Sequence, residues 1–183
     1  MILNNINFDR VCDIARDAGS AIMEIYAGEF SVELKGDASP LTCADRASHR
    51  VIADGLTATT PGIPILSEEG WYIPYQERAE WSRFWLVDPL DGTKEFIKRN
   101  GEFTLNIALV EDGRVTAGVV YVPAQDTLYF GCLEAGCWKS AAGGEMVPIK
   151  VREADHDAGL TVVMSRSHPS TELEKYLREI KVA

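Results

Sequence analysis

Apolar positions along the chain change their period twice. From Asn7 to Ala27 they recur at three- and four-residue steps, as Val11, Ile14, Ala15, Ala18, Ile22, Ile25 and Tyr26. That spacing predicts an amphipathic helix stopped by Gly28. Ser31 to Leu34 is a short strand, and Lys35 to Pro40 a polar loop rich in turn formers. Thr42 to Thr57 returns to the helical period through Ala44, Ala47, Val51, Ile52 and Leu56, with Asp45 in the first turn, where an acid complements the helix dipole. The period then disappears. Ile63-Pro64-Ile65-Leu66 and Phe84-Trp85-Leu86-Val87 are unbroken apolar runs, and the second predicts a strand buried on both faces. Between them, residues 71–83 are irregular and carry Trp71, Tyr72, Tyr75 and Trp81; a lid and a packed loop are equally compatible with that pattern. Phe103 to Val110 and Arg114 to Val122 flank Asp112-Gly113, a hairpin signal. Further strands are expected at Thr127 to Cys132, Gly136 to Lys139 and Met146 to Val151. A meander of this kind, with two long helices before it, predicts an α+β fold on a mixed, mainly antiparallel sheet.

From Arg152 to Gly159 the composition turns polar and irregular, which divides the chain into residues 1–152 and 153–183. In the second part Leu160 to Met164 reads as a strand, Ser165 to His168 as its exit loop, and Pro169 to about Lys181 as a helix. Thr171-Glu172-Leu173-Glu174 has capping-box spacing. This βα unit lacks a following partner strand, so the second α/β domain reads as incomplete. Its stripe of Leu173, Tyr176, Leu177 and Ile180 is expected to drive oligomerisation or to leave the segment loosely ordered.

Both apolar runs end in acids. Ser67-Glu68-Glu69-Gly70 follows the first and Asp88-Pro89-Leu90-Asp91-Gly92-Thr93 ends the second. Alone, the latter is a good turn. Two strands delivering four carboxylates to one sheet edge are a different matter, because such charges repel in a low-dielectric site and a divalent cation relieves them. Thr93 to Ile97 can open a helix with Thr93 near its cap, and free amides at a helix start suit phosphate.

Composition narrows the partners. The 18 basic against 28 acidic residues give a net charge of −10, which disfavours polymeric nucleic acid and leaves small phosphorylated molecules. No apolar run approaches a membrane span, and no leader is visible in residues 1–30, so a cytoplasmic protein is expected, with peripheral association at the inner membrane left open. Cys12, Cys43, Cys132 and Cys137 have no zinc-type spacing. P-loop, GxGxxG, HExxH and GxSxG patterns are missing. Of His49, His156 and His168, His49 reads as a surface or packing residue, and His168, beside Arg166 and two serines, has the functional case.

Asp88-Pro89-Leu90-Asp91-Gly92-Thr93 resembles the signature of the inositol monophosphatase superfamily of magnesium-dependent, lithium-sensitive phosphatases. Ser67-Glu68-Glu69 resembles its upstream acidic motif, and the stretch from Lys35 to Asp45 its N-terminal motif. Lys94-Glu95-Phe96 and Ser165 to His168 are closer to the 3'(2'),5'-bisphosphate nucleotidase (CysQ-type) branch. The resemblance implies a layered α/β sandwich of the inositol monophosphatase and sugar phosphatase type. It implies a phosphomonoesterase that removes the 3'-phosphate of adenosine 3',5'-bisphosphate, giving AMP and phosphate, in sulfur assimilation. Two or three Mg2+ ions would sit on Glu68, Asp88, the Leu90 carbonyl and Asp91. Asp45 and Thr93 would position the attacking water, with Glu68 counted among the catalytic groups and Glu69 behind them. Substrate would meet Glu68, Leu90, Asp91, Gly92, Thr93 and His168, with Lys35 near the metals. One departure stands out. The superfamily's downstream Trp-Asp-x-Ala motif, which completes the second metal site, does not occur among these residues. A fragment or a natural short form is therefore expected, with weak or absent activity on its own. Hydrolysis of an inositol or sugar phosphate, and a non-catalytic nucleotide- or metal-binding domain, are the alternatives.

Overall fold

A computed structural model describes residues 2–3, 5–34, 40–153, 158–164 and 170–179. The chain separates into two units, Met1–Ile149 and Lys150–Ala183.

The first unit opens with a small antiparallel ladder, β1 (Ile2–Leu3) and β2 (Ile6–Asn7), followed by helix α1 (Phe8–Ala27). Asn7 is the N-cap of α1, its side chain accepting from the Asp9 amide, as expected for a short polar residue just outside an apolar stripe. A second small ladder, β3 (Val32–Leu34) and β4 (Pro40–Thr42), leads into α2 (Cys43–Thr59). Then come β5 (Ile65–Ser67), the short α3 (Tyr75–Arg78), β6 (Arg83–Asp91) and α4 (Thr93–Ile97). The meander follows as β7 (Thr104–Glu111), β8 (Arg114–Val122), β9 (Thr127–Cys132), β10 (Gly136–Ala141) and β11 (Val147–Ile149). These seven strands form one sheet in the order β11-β10-β9-β8-β7-β6-β5. Every neighbour pair is antiparallel except β5 and β6, which are parallel. The β7–β8 hairpin turns on Asp112 and Gly113, both at positive φ (49° and 75°), the geometry of a type I′ turn.

Helices α1 and α2 pack on each other and on one face of the sheet. Their stripes meet Trp85, Val87, Leu105, Ile107, Leu109, Val119, Leu128 and Phe130 in a single core. The other face is different. Leu86 is 43% exposed and Val120 40%, and Asn106 and Ala108 are half-buried. This corrects the expectation of a strand buried on both faces. β6 alternates like its neighbours, but both of its faces carry apolar residues, so the unbroken run concealed a period of two. β6 does not stop at Asp88 but runs on to Asp91 through a bulge. Pro89, which has no N–H for the ladder, sits in that irregular stretch. The irregular segment 71–83 contains one helical turn, α3, and the start of β6.

In the second unit Leu160 makes only an isolated bridge, and residues 161–164 are not a strand, contrary to the expectation from their apolar run. Helix α5 (Thr171–Leu177) is capped by Ser170, whose hydroxyl accepts from the Leu173 amide at 3.2 Å. The cap is one residue earlier than the spacing of Thr171 and Glu174 suggests, because Ser170 has the extended backbone that lets its hydroxyl reach the third helical amide. Lys35, the loop Ser165 to His168 and Ile180 lie outside the described residues. No described helix is long and apolar enough to cross a membrane.

Candidate active site

Parallel pairing of β5 and β6, with Ser67 opposite Val87, puts the carboxyl ends of both strands at the same edge. Glu68 continues β5 and its amide donates to the Val87 carbonyl at 3.1 Å. Asp88 follows Val87 directly. Two acids from segments twenty residues apart in sequence are thus neighbours.

Asp88 and Asp91 are separated by three positions, which in a regular strand would put them on opposite faces. The bulge removes that problem. Asp88 pairs with Asn106 and Asp91 with Thr104, three steps on β6 against two on β7, so one residue is taken up and the two aspartates return to one side. The Asn106 side chain marks that side, donating from Nδ2 to Asp91 Oδ2 at 3.2 Å.

The electrostatic result is a crowded acid. The Asp88 carboxyl is pushed up from 3.8 to about 7, first by burial, then by Glu68 and Asp91. A hydrogen bond from the Leu90 amide to Asp88 Oδ1 (3.2 Å) opposes the rise without cancelling it. Among the described residues no three His, Cys, Asp or Glu side chains are closed into a ready metal cage. What the donor set does have is three carboxylates whose mutual repulsion a hard dication would relieve. On that chemistry the residues fit magnesium.

Asp45 reaches the same place from α2. It is 2% exposed. Its Oδ2 accepts from the Thr42 amide at 2.8 Å and from the Thr42 hydroxyl at 2.7 Å, completing a capping box. Its Oδ1 faces the Thr93 hydroxyl at 3.3 Å, with the Leu90 carbonyl also 3.3 Å from that hydroxyl. The oxygen that caps α2 and the oxygen that faces Thr93 are thus different. Thr93 is free for this because it is not the cap of α4. Gly92 is, at φ 93°, with no side-chain cap bond. A Cβ on Gly92 would lie 3.0 Å from the Glu102 carbonyl and 3.3 Å from Phe103 Cα, so both conformation and space demand glycine.

Three contacts were not visible in the sequence. Ser48 donates to the Pro89 carbonyl at 2.7 Å, tying α2 to the bulge. His49 Nδ1 lies 2.8 Å from Ser67 Oγ and so anchors the residue before Glu68. Asn106 holds Asp91. Each depends on register or helix packing rather than on neighbours in the sequence. Within Lys94-Glu95-Phe96, Phe96 is fully buried against Tyr26, Phe30 and Phe103, while Lys94 is exposed.

The family model for the inositol monophosphatase family matches residues 7–182. The chain belongs to that family. Among its relatives is the 3'(2'),5'-bisphosphate nucleotidase CysQ of Escherichia coli strain K12, 49% identical over 177 residues, covering 94% of this chain and 68% of that protein. The protein of the same name from Buchnera aphidicola is 42% identical over 184 residues, 98% of this chain and 68% of its own length. Among solved structures, CysQ from Bacteroides thetaiotaomicron, itself described as a bacterial member of the inositol monophosphatase family, superposes with a TM-score of 0.77 at 39% identity. That match covers 93% of this chain and 66% of the other. The chain therefore spans about two thirds of the length of these family members. The layered α+β fold expected of the family is the one observed.

Proposed function

We propose that the chain carries the metal- and phosphate-handling part of a magnesium-dependent phosphomonoesterase that takes the 3'-phosphate from adenosine 3',5'-bisphosphate, leaving AMP and phosphate, in sulfur assimilation. One observation carries the reading. Parallel strands and a bulge bring Glu68, Asp88 and Asp91 together beside the Asp45–Thr93 pair. Nucleotidases named CysQ at 42–49% identity support the substrate.

In this reading Glu68, Asp88, Asp91 and the Leu90 carbonyl would hold magnesium, of which the whole enzyme would take two or three ions. Bound magnesium would supply charge neutralisation for the phosphoryl group and acidify water. The protein's own groups do the rest. Thr93 gives its single hydroxyl proton to Asp45 Oδ1, which turns the Thr93 oxygen into an acceptor. A water that donates to this oxygen would be oriented with its lone pair toward the phosphorus and pass a proton by way of Thr93 to the Asp45 carboxylate as it attacks, while the bond from phosphorus to the ribose 3'-oxygen breaks and that oxygen takes its proton from solvent. The first amides of α4, at Gly92 and Thr93, lack helical acceptors and are free to bind phosphate oxygens. His168 is assigned a contact with the nucleotide. A cytoplasmic location and a homo-oligomer belong to the same proposal.

The test is phosphate release from adenosine 3',5'-bisphosphate and from myo-inositol 1-phosphate, with and without magnesium. Magnesium-dependent release at least tenfold faster from the nucleotide is expected. Release from the inositol phosphate alone, or release that ignores magnesium, overturns the assignment.

A further inference from the structure

The acidic edge opens into a cavity of about 450 Å³ whose walls include Glu68, Asp88, Leu86, Asn106 and Arg78. That volume is in the range taken by nucleotide-sized ligands. Among the described residues lining it, Arg78 is the one cation. Arg78 ends α3, its amide bonded to the Pro74 carbonyl at 3.2 Å, and its guanidinium lies over the Tyr75 ring, 5.9 Å from the centroid. The helical turn and the ring hold the side chain at the cavity. Yet its Nε is screened from solvent and finds no hydrogen-bond acceptor among the described residues. A buried guanidinium donor left without an acceptor is costly, and such groups call for an explanation. Neutralising Asp88 does not provide one, since the charges acting on that carboxyl are those of Glu68 and Asp91.

We propose that Arg78 is a specificity-determining residue that binds the second, non-reacting phosphate of a bisphosphorylated substrate. This rests on the phosphatase reading above. A monophosphate needs only the acidic edge and its cations. A bisphosphate brings a second dianion into a cavity whose other charged walls are carboxylates, and it is repelled there unless a cation receives it. A guanidinium receives a phosphate through two parallel N–H bonds, which satisfies the orphaned Nε. An analogue without that phosphate leaves Nε unpaired, so the contact discriminates as well as binds.

The experiment compares the wild-type chain with Arg78→Gln and Arg78→Lys, using adenosine 3',5'-bisphosphate and adenosine 3'-monophosphate with magnesium. Matching ligand-free melting curves check that the variants fold. If wild type releases phosphate, Arg78→Gln is expected to raise KM for the bisphosphate at least tenfold, leaving KM for the monophosphate and both kcat values within threefold. Arg78→Lys should recover part of the loss. If wild type releases none and magnesium does not raise its melting temperature either, the phosphatase reading fails for this chain. Without release, the inference is judged by the rise in melting temperature that each intact nucleotide produces, with the bisphosphate's advantage expected in wild type and absent in Arg78→Gln. Equal effects of Arg78→Gln on both nucleotides, no effect on either, or no bisphosphate advantage in wild type overturns it.

Discussion

The Thr93 hydroxyl stands 3.3 Å from Asp45 Oδ1, bridging the first turns of two helices that begin fifty residues apart. The other Asp45 oxygen is already engaged by Thr42, through two bonds of 2.7 and 2.8 Å. The carboxylate is therefore pinned by its structural oxygen and presents the other at a fixed angle. Preorganisation of this kind spares the site a reorientation during reaction.

Separate roles for the two oxygens predict separable losses. Thr93→Val removes the hydroxyl and leaves the capping box intact, so kcat should fall about 100-fold or more, with thermal stability nearly unchanged. Asp45→Asn should lower kcat and also weaken the cap, by about 1 kcal/mol. Phosphate-release kinetics and urea melts on both variants check this. A Thr93→Val protein with wild-type kcat would remove Thr93 from the mechanism.

The main elements were legible because their determinants are local. Helical stripes, the Asp112-Gly113 turn and the acids at the ends of β5 and β6 are all stated within a few residues. What stayed hidden depends on partners distant in sequence. That Asp88 and Asp91 share a face follows only from the bulge against β7. That β6 buries one face follows from which side α1 and α2 cover, and apolar residues on both sides conceal it. Ser48, His49 and Asn106 look unremarkable until the register aligns them with Pro89, Ser67 and Asp91. Nothing local marks Arg78 either; it is set apart by the cavity it lines.

Gly92 offers a test of the local geometry. Its φ of 93° and the 3.0 Å approach to the Glu102 carbonyl leave no room for a Cβ. Gly92→Ala should therefore cost about 1–3 kcal/mol of stability, read as a lower urea midpoint at unchanged slope, and should lower activity by displacing Thr93. A neutral Gly92→Ala would mean that the loop relaxes freely and that the site is not held by it.

The core has one polar contact that can be isolated. Trp85 Nε1, fully buried, donates to Thr60 Oγ1 at 2.9 Å, and that hydroxyl donates to the Leu56 carbonyl at 2.8 Å. Thr60→Val keeps the shape and removes the acceptor, leaving the indole N–H unpaired. A loss of about 1–3 kcal/mol is expected from the desolvation of that donor alone, while Trp85→Phe, costly by itself through the volume it removes, should cost less in the Thr60→Val background than in the wild type. Additive losses in the double variant would show that the two groups do not interact.

The Asp88 carboxyl makes stability depend on pH in a direction opposite to most acids. Its folded value is raised from 3.8 to about 7, chiefly by burial and then by Glu68 and Asp91. Between those values the folded protein holds a proton that the unfolded chain has released. Stability contributed by this group is therefore complete below about 3.8 and is lost as pH rises through about 7. Other carboxylates act in the opposite sense at the acidic end, so the window to read is pH 5 to 8. There the metal-free protein should lose melting temperature as pH rises, and Asp88→Asn, which cannot ionise, should flatten the slope and raise the midpoint at pH 8 by on the order of 3 °C. Partial exposure of the group keeps the effect modest. Magnesium should produce the same flattening in the wild type by supplying the missing positive charge, and should do nothing for Asp88→Asn at concentrations that saturate the wild type. Thermal melts at pH 5, 6, 7 and 8, with and without magnesium, decide the matter. A wild-type slope identical to that of Asp88→Asn would mean that the three carboxylates do not crowd one another, and the case for a cation between them would go with it.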